Sequence, residues 1–383
     1  MHHNQHEADK RSGLTRREFM RDGAAGAAAL AAGLGAATRA SAQDNEAVKK
    51  TRGYNPDMEY RRLGKTDVWV SSLCLGGHWK RIDQMVPGIL KGKGWLSADI
   101  ADAGFQKNRD EVVSRCIEHG INYIDACTYP EIQAYSRALK GRRDKMYMGF
   151  SWYEHEARQA DRRTAGRLIE TLDEGIKVCG LDHVDFWRIT CRSDGSTDEN
   201  GNHIMAHTMA ESEEIAKALG MAKRSGKAVH TGVSSHDRLW LAMMMEKFPG
   251  QIEAVVTPYT AKSKVLPKDG MFDAAVKHDA GMFGIKPFAS NSLFKGDSSP
   301  DSPEAEEDDR LARLAIRYIL CNPALTAPIP GLINAHQVDN VAQAAPERRE
   351  LDLAEAEELE DAMAVAWANL PADYQWLKDW EYV

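Results

Sequence analysis

The sequence predicts an α/β chain closed into a (β/α)8 barrel, with a β-hairpin in front and a helical extension behind. Three observations carry this expectation. Short apolar runs alternate with amphipathic stretches eight times in succession, which leaves either a doubly wound sheet or a closed barrel. The first run ends in Leu75-Gly76-Gly77-His78-Trp79, not in the G-x-G-x-x-G turn that an open dinucleotide-binding sheet places there. The chain has 383 residues, more than the ~250 of a bare barrel, so added loops and extensions are expected.

Residues 1–42 read as a leader. Thr15-Arg16-Arg17-Glu18-Phe19-Met20-Arg21 is basic, residues 23–38 are mostly Ala and Gly, and Ala40-Ser41-Ala42 is a small-x-small cleavage site. The apolar run is too short and too weak to hold a bilayer-spanning helix. The paired arginines, the Phe two positions on and the next basic residue read as a twin-arginine export signal. The alternative is an uncleaved amphipathic or disordered N-terminus. The export reading implies the twin-arginine translocase as a partner and a periplasmic or otherwise exported location. It also implies folding, with any cofactor loaded, before export. No later segment approaches transmembrane length, so no stable membrane insertion is expected after cleavage.

Residues 43–57 are polar and read as a linker. Residues 58–70 alternate around Gly64-Lys65-Thr66-Asp67 and read as the hairpin. Strands are predicted at 71–75, 121–125, 145–150, 183–189, 228–233, 253–257, 282–286 and 325–329. Helices are predicted at 108–119, 131–140, 161–178, 210–225, 236–247, 268–279, 305–321 and 335–345. Residues 78–107 lengthen the loop after the first strand, and 297–309 form an acidic Ser/Pro loop. Residues 354–383 add a helix and a tail. The barrel domain is set at 58–370 and the aromatic tail at 371–383. Trp376 and Trp380 either fold over the barrel mouth or anchor the C-terminus to the wall.

Beyond residue 42 the chain carries 43 basic and 53 acidic residues, net −10. That argues against nucleic acid as a partner, which calls for a basic footprint. The six cysteines, Cys74, Cys116, Cys127, Cys179, Cys191 and Cys321, are scattered without a C-x-x-C. Most read as small buried apolar groups; Cys127 and Cys191 fall at strand ends. His203 and His207 are four apart but lie in a polar loop without an acid pattern, so no metal site is expected.

Functional groups of a barrel gather where strands end and βα-loops begin. That ring contains His78, Trp79, Asp125 to Tyr129, Ser151, Trp152, Thr190 to Arg192, Ser234 to His236, Tyr259, Lys286 and Gly331. Arg188 lies inside the apolar run Phe186-Trp187-Arg188-Ile189. An interior guanidinium must be paired. Asp125 is one candidate partner; a helix carboxylate outside the barrel is the alternative.

Six landmarks occur in order: Met58-Glu59-Tyr60-Arg61-Arg62-Leu63-Gly64, Gly120-Ile121-Asn122-Tyr123-Ile124-Asp125, Arg137 through Lys145, Gly232-Val233-Ser234-Ser235, Lys286-Pro287-Phe288 and Ile329-Pro330-Gly331. In these the chain resembles the aldo-keto reductases over nearly its whole length beyond the leader. The resemblance implies a four-residue centre in which tyrosine is the general acid, aided by a lysine paired to an aspartate, with a histidine orienting a carbonyl. A phenol near pKa 10 needs such help at neutral pH. Asp125 matches the aspartate. Ser151 stands where the lysine is expected and Thr190 where the histidine is. Tyr129 follows Asp125 by four positions, where the family usually has five. Arg188 or Lys286 is expected to replace the missing cation, and His236 is an alternative proton donor.

The resemblance also implies a bound nicotinamide dinucleotide, NAD or NADP. Trp79 would wall the nicotinamide, with Ser234 and Ser235 beside it. Lys286 and Ser290 would meet the pyrophosphate. Gly331, Asn334 and Asn340 would meet the adenosine half, with backbone donors near Ala335. His78, Trp152, Arg192 and Tyr259 would face a small-molecule substrate, a sugar among the candidates. The expected function is an exported oxidoreductase with an altered proton donor. The alternative is a reductase-like barrel that binds a small molecule in the periplasm without turning it over.

Overall fold

The computed structural model describes residues 46–91, 98–193, 195–200, 202–263 and 270–378. The leader expectations for 1–42 and the placement of Trp380 lie outside the described residues.

Residues 46–57 do not behave as a linker. Helix α1 (Glu46–Lys49) buries Val48 completely, and Arg52 reaches Asp185 at 2.7 Å. Strands β1 (Tyr60–Arg62) and β2 (Trp69–Ser71) then form the expected antiparallel hairpin. Its turn carries Gly64 at φ +51°, and a Cβ there would sit 2.3 Å from the backbone nitrogen of Gly281. Only glycine lets the hairpin lie this close across the barrel base.

The barrel strands follow in chain order. They are β3 (Leu75–Gly76), β4 (Tyr123–Ala126), β5 (Tyr147–Phe150) and β6 (Val184–Thr190). A short antiparallel ribbon, β7 (Ser196–Thr197) and β8 (His203–Ile204), is inserted after β6. Strands β9 (Ala228–Ser234), β10 (Ala254–Pro258), β11 (Gly281–Ile285) and β12 (Ala327–Ile329) complete the set. The eight are parallel and neighbour one another in chain order. The ring closes between β3 and β12, where Gly76 N donates to Pro330 O at 2.7 Å and Cys74 N donates to Pro328 O at 3.1 Å. These bonds join the two end strands and close the ring.

The outer helices are α2 (Ala103–Glu118), α3 (Tyr129–Ala138), α4 (Ala165–Cys179), α5 (Met209–Arg224), α6 (Arg238–Lys247), α7 (Gly270–Lys277), α8 (Ala305–Leu320) and α9 (Ala335–Ala342). A further helix, α10 (Leu353–Ala368), precedes a short 3₁₀ segment at Ala372–Lys378. Most starts are capped by Thr, Asp or Asn; Thr208 and Glu211 form a reciprocal capping box on α5. None of the described helices is long and apolar enough to cross a membrane.

The barrel interior is filled by Leu63, Val70, Tyr123, Phe186, Val256 and Phe283, with Tyr123 stacked on Phe283 at 4.5 Å. A larger apolar layer fills the space between strands and helices. The packed lower barrel leaves its polar strand ends gathered at the opposite mouth, as the alternating side-chain direction requires.

Candidate active site

Asp125, the penultimate residue of β4, is buried and faces Arg188 of β6. Arg188 Nε donates to Asp125 Oδ1 at 2.7 Å and Nη2 donates to Oδ2, a bidentate pair. Burial works against the guanidinium charge, and the facing carboxylate more than restores it, so the Arg188 pKa is raised. Of the two cations expected to replace the missing lysine, Arg188 is the one bound to Asp125. Its Nη1 continues to Thr190 Oγ1 at 2.8 Å, and Thr190 Oγ1 lies 2.8 Å from Ser151 Oγ. Ser151 then donates to Glu156, which also accepts from Thr190 N at 2.8 Å and Trp187 Nε1 at 3.0 Å. Burial raises the Glu156 pKa. Ser151 and Thr190 thus link the Arg188 guanidinium to the buried Glu156 carboxylate.

The opposite side of the mouth is cationic. Lys286, just beyond β11, has left-handed backbone at φ +61°, and Ala289, Ser290 and Asn291 follow at +46°, +61° and +67°. Left-handed backbone costs each L-residue roughly 1–2 kcal/mol, so the surrounding packing must hold this segment in place. Lys80 Nζ donates to Ser290 Oγ and sits 3.6 Å above the Tyr374 ring; Lys286 Nζ lies 5.8 Å from that ring and 5.6 Å from Trp376. Burial lowers Lys80 to about 8. Burial, reinforced by Lys80, Arg158 and Arg188, lowers Lys286 to about 8. Both remain largely protonated at neutral pH.

Two adjoining cavities run from here. One is lined by His78, Asp125, Lys286, Ser290, Gly331 and Tyr374. The other is lined by Arg81, Asn291, Asp308, Asp309, His336 and Asn340. They share His78, Lys80, Phe288, Asn291 and Gly331, forming one cleft across the ends of β11 and β12.

Several predicted site residues do reach this rim. Ser234 ends β9 beside Thr190. Trp152 stacks on His155 at 4.4 Å and meets the tilted ring of Tyr129 at 5.0 Å. Tyr129 is 38% exposed, and no side-chain hydrogen bond to its hydroxyl forms among the described residues. Its amide donates to Glu154 at 3.4 Å, and burial raises Glu154 to about 7. His236 stacks on Trp376 at 4.3 Å, so the tail lies on the mouth. Arg192 is exposed on the outer rim.

Other expectations need correction. Trp79 is 1% exposed and points into the core, with Nε1 donating to Tyr135 Oη at 3.0 Å; it does not wall the cleft. Tyr259 is buried edge-on against Phe272, its hydroxyl accepting from Asn322 at 3.2 Å, so it does not face a substrate. Asn334 caps α9 by accepting from Gln337 N at 2.8 Å. Ser235 is occupied by Arg192 O at 2.7 Å and Asp237 N at 3.1 Å. Asn340 lines the cleft, yet Nδ2 donates to Asp309 O at 2.9 Å and Oδ1 accepts from Arg313. Cys191 is buried beneath the rim. His203 and His207 do not converge: His203 meets Asp237 at 3.0 Å, and His207 Nε2 accepts from Arg192 N at 2.9 Å.

Sequence reasoning missed Lys80, Glu131, Glu154, Glu156 and Tyr374. Glu131 is fully buried on α3, accepting from His78 N at 2.6 Å and Cys127 N at 2.8 Å. Burial alone would raise its pKa, but His78 and these amides bring it below the usual value.

The aldo/keto reductase family model matches residues 105–364. L-glyceraldehyde 3-phosphate reductase of Escherichia coli K12 is 28% identical over 131 residues, a third of this chain and a third of that protein's length. Two solved structures share the fold. One is an aldo-keto reductase from Bacillus halodurans in its holo form, with TM-score 0.55 and 18% identity over 83% of this chain and 99% of that one. The other is a Bombyx mori aldo-keto reductase in complex with NADP, with TM-score 0.54 and 13% identity over 79% of this chain and 92% of that one. The ordered landmarks, the closed barrel and the span of the family match agree: this chain belongs to the aldo/keto reductase family.

Proposed function

We propose that the protein is an oxidoreductase that moves hydride between a bound nicotinamide dinucleotide and a carbonyl or alcohol on a small molecule. The observation that carries this is the continuous cleft from Asp125 to Asn340, with two cations and a left-handed run at its waist. Lys286, Lys80 and Ser290 suit a pyrophosphate, and the stretch from Gly331 to Asn340 suits the adenosine half. The nicotinamide, when bound, supplies the hydride. Asp308 and Asp309 line the adenosine end, where a 2′-phosphate would meet like charge; NAD is therefore preferred over NADP. Arg188 fixes Asp125 beside the mouth through its bidentate pair. Glu154, held at about 7 beside Tyr129, is suited to exchange a proton near neutrality. The twin-arginine leader and periplasmic location complete this reading: the chain would fold and load its nucleotide before export.

A second reading is favoured by one observation. Asp125 is fully engaged by Arg188, and Ser151 and Thr190 replace the two residues that would assist a tyrosine acid. Such a site can bind without turnover. One experiment separates the two. The chain without residues 1–42 is titrated with NADH and NADPH by tryptophan-to-nicotinamide energy transfer, then mixed with aldehydes, ketones and open-chain sugars. Binding of NADH at least about tenfold tighter than NADPH, a gap of about 1.4 kcal/mol, with carbonyl-dependent loss of the NADH signal, supports the oxidoreductase. Nucleotide binding without turnover, or no binding of either nucleotide, removes the oxidoreductase and supports the second reading. Replacing Arg16 and Arg17 by lysine should retain the protein in the cytoplasmic fraction; unchanged export would remove the leader assignment.

A further inference from the structure

The rim holds a constellation that hydride transfer does not use. His78 Nδ1 lies 3.1 Å from Glu131 Oε1 and 3.8 Å from Cys127 Sγ, and the three donor atoms all lie within 4.8 Å of one another. They come from the ends of β3 and β4 and the first turn of α3, so the barrel scaffold fixes their spacing.

A nucleophilic triad would place the thiol and the carboxylate on opposite ring nitrogens of the histidine. Here the same nitrogen faces both, which is the convergence a shared metal ion requires. Tetrahedral zinc bound by sulfur, nitrogen and oxygen spaces sulfur and nitrogen about 3.6 Å apart, and nitrogen and oxygen about 3.3 Å apart. The observed 3.8 and 3.1 Å straddle those values. A thiolate and a carboxylate together also match the charge of a dication.

The backbone is shaped around the carboxylate. A Cβ at Gly77 would fall 2.0–2.4 Å from the Glu131 carboxyl atoms, so only glycine leaves room for it. His78 is held in the left-handed region at φ +59°, a conformation that concentrates at functional sites. Amides of His78 and Cys127 each occupy one lone pair of Glu131, which orients the carboxylate and leaves further lone pairs. The neighbouring Arg188 is neutralised by Asp125. His78 also lines the cleft, which gives a fourth position access to water or a carbonyl oxygen, as an open zinc site has.

We propose that His78, Cys127 and Glu131 bind a divalent metal ion of the zinc type at the edge of the cleft. A metal there would polarise a substrate oxygen at the mouth where Ser151 and Thr190 stand at the positions the resemblance gives to a lysine and a histidine.

The test uses cobalt(II) alone on the chain without residues 1–42, with neither nucleotide nor substrate present, so it stands apart from the hydride-transfer reading. The expected result is one equivalent of cobalt bound, a thiolate-to-cobalt charge-transfer band in the near ultraviolet, and loss of that band on adding zinc. Cys127→Ser should abolish the band. His78→Gln and Glu131→Gln should weaken binding by more than the roughly 10- to 100-fold that changes outside the ligand shell cost. Cys179→Ser and Cys321→Ser should leave the band intact. His78 is half-exposed, so His78→Gln tests the site even if Cys127→Ser fails to fold. Absence of the band in folded wild-type protein overturns the proposal. So does a band that survives unchanged in His78→Gln.

Discussion

The two sides of the barrel mouth have been treated differently. On the β4–β6 side, Asp125, Arg188, Thr190, Ser151 and Glu156 form a closed hydrogen-bonded chain in which each charge is engaged within the protein. On the β11–β12 side, Lys80, Lys286 and Ser290 border an open cleft, covered in part by Tyr374 and Trp376. The first side is buried and closed on itself, and the second borders open space. The contrast teaches that a barrel of this family can close the polar strand ends on one side of its mouth among themselves while those on the other side stay open to a cleft.

The largest test of that contrast is Arg188→Met. It leaves Asp125 buried without its cation and should destabilise the fold by about 3–5 kcal/mol, read as a shift in the urea midpoint. Adding Asp125→Asn should recover much of the loss. If Arg188→Met unfolds at the wild-type midpoint, the β4–β6 side is not the structural half.

On the other side, Lys286→Met should barely move the urea midpoint but should weaken dinucleotide binding by about 1.5–3 kcal/mol, the range of a hydrogen bond to a charged group. An unchanged dissociation constant would remove Lys286 from the pyrophosphate site. Binding should also fall as pH rises through about 8, where Lys80 and Lys286 lose their protons. Stability has the opposite sign. Both folded-state pKa values lie below the ordinary 10.5, so between about 8 and 10.5 the unfolded chain binds more protons and these groups' contribution rises with pH. A flat binding profile from pH 7 to 9.5 would separate these lysines from the cleft's ligand.

The smallest effect is expected at Asn334→Ala. Loss of the α9 cap should cost about 1 kcal/mol of stability. Dinucleotide affinity should change little, because the side chain is spent on Gln337 N and Ser298 O. A large loss of affinity with little loss of stability would restore Asn334 to the adenosine site.

The fold was legible because alternating apolar runs and amphipathic stretches mark the barrel elements in order, although the strand predicted at 71–75 meets the first barrel strand only at Leu75 and the helix predicted from 108 starts at Ala103. The strand predicted at 183–189 is β6 at Val184–Thr190, and the helix predicted at 210–225 is α5 at Met209–Arg224. Arg188 was legible as a group in need of a partner, because a guanidinium inside an apolar strand has few ways to survive there. Trp79 and Tyr259 were misplaced because the strand-end rule gives position along the chain but not side-chain direction. Glu131, Glu154 and Glu156 were missed because they lie on a helix and a short 3₁₀ loop, where acidic residues usually face water. Their burial follows from contacts with elements distant in sequence, such as Trp187 against Glu156. One signal was present: Glu131 stands four residues beyond Cys127 and six beyond Asp125, close enough to fold back beneath the same loop.

The described chain starts and finishes on opposite poles of the barrel. Arg52 is fastened to Asp185 at the base, whereas Tyr374 and Trp376 rest on the mouth. A surface tether or fluorescent fusion placed ahead of residue 46 would therefore leave the cleft facing solution. The same attachment after residue 378 would crowd the entrance, and biosensor or immobilised formats should be built from the N-terminal side.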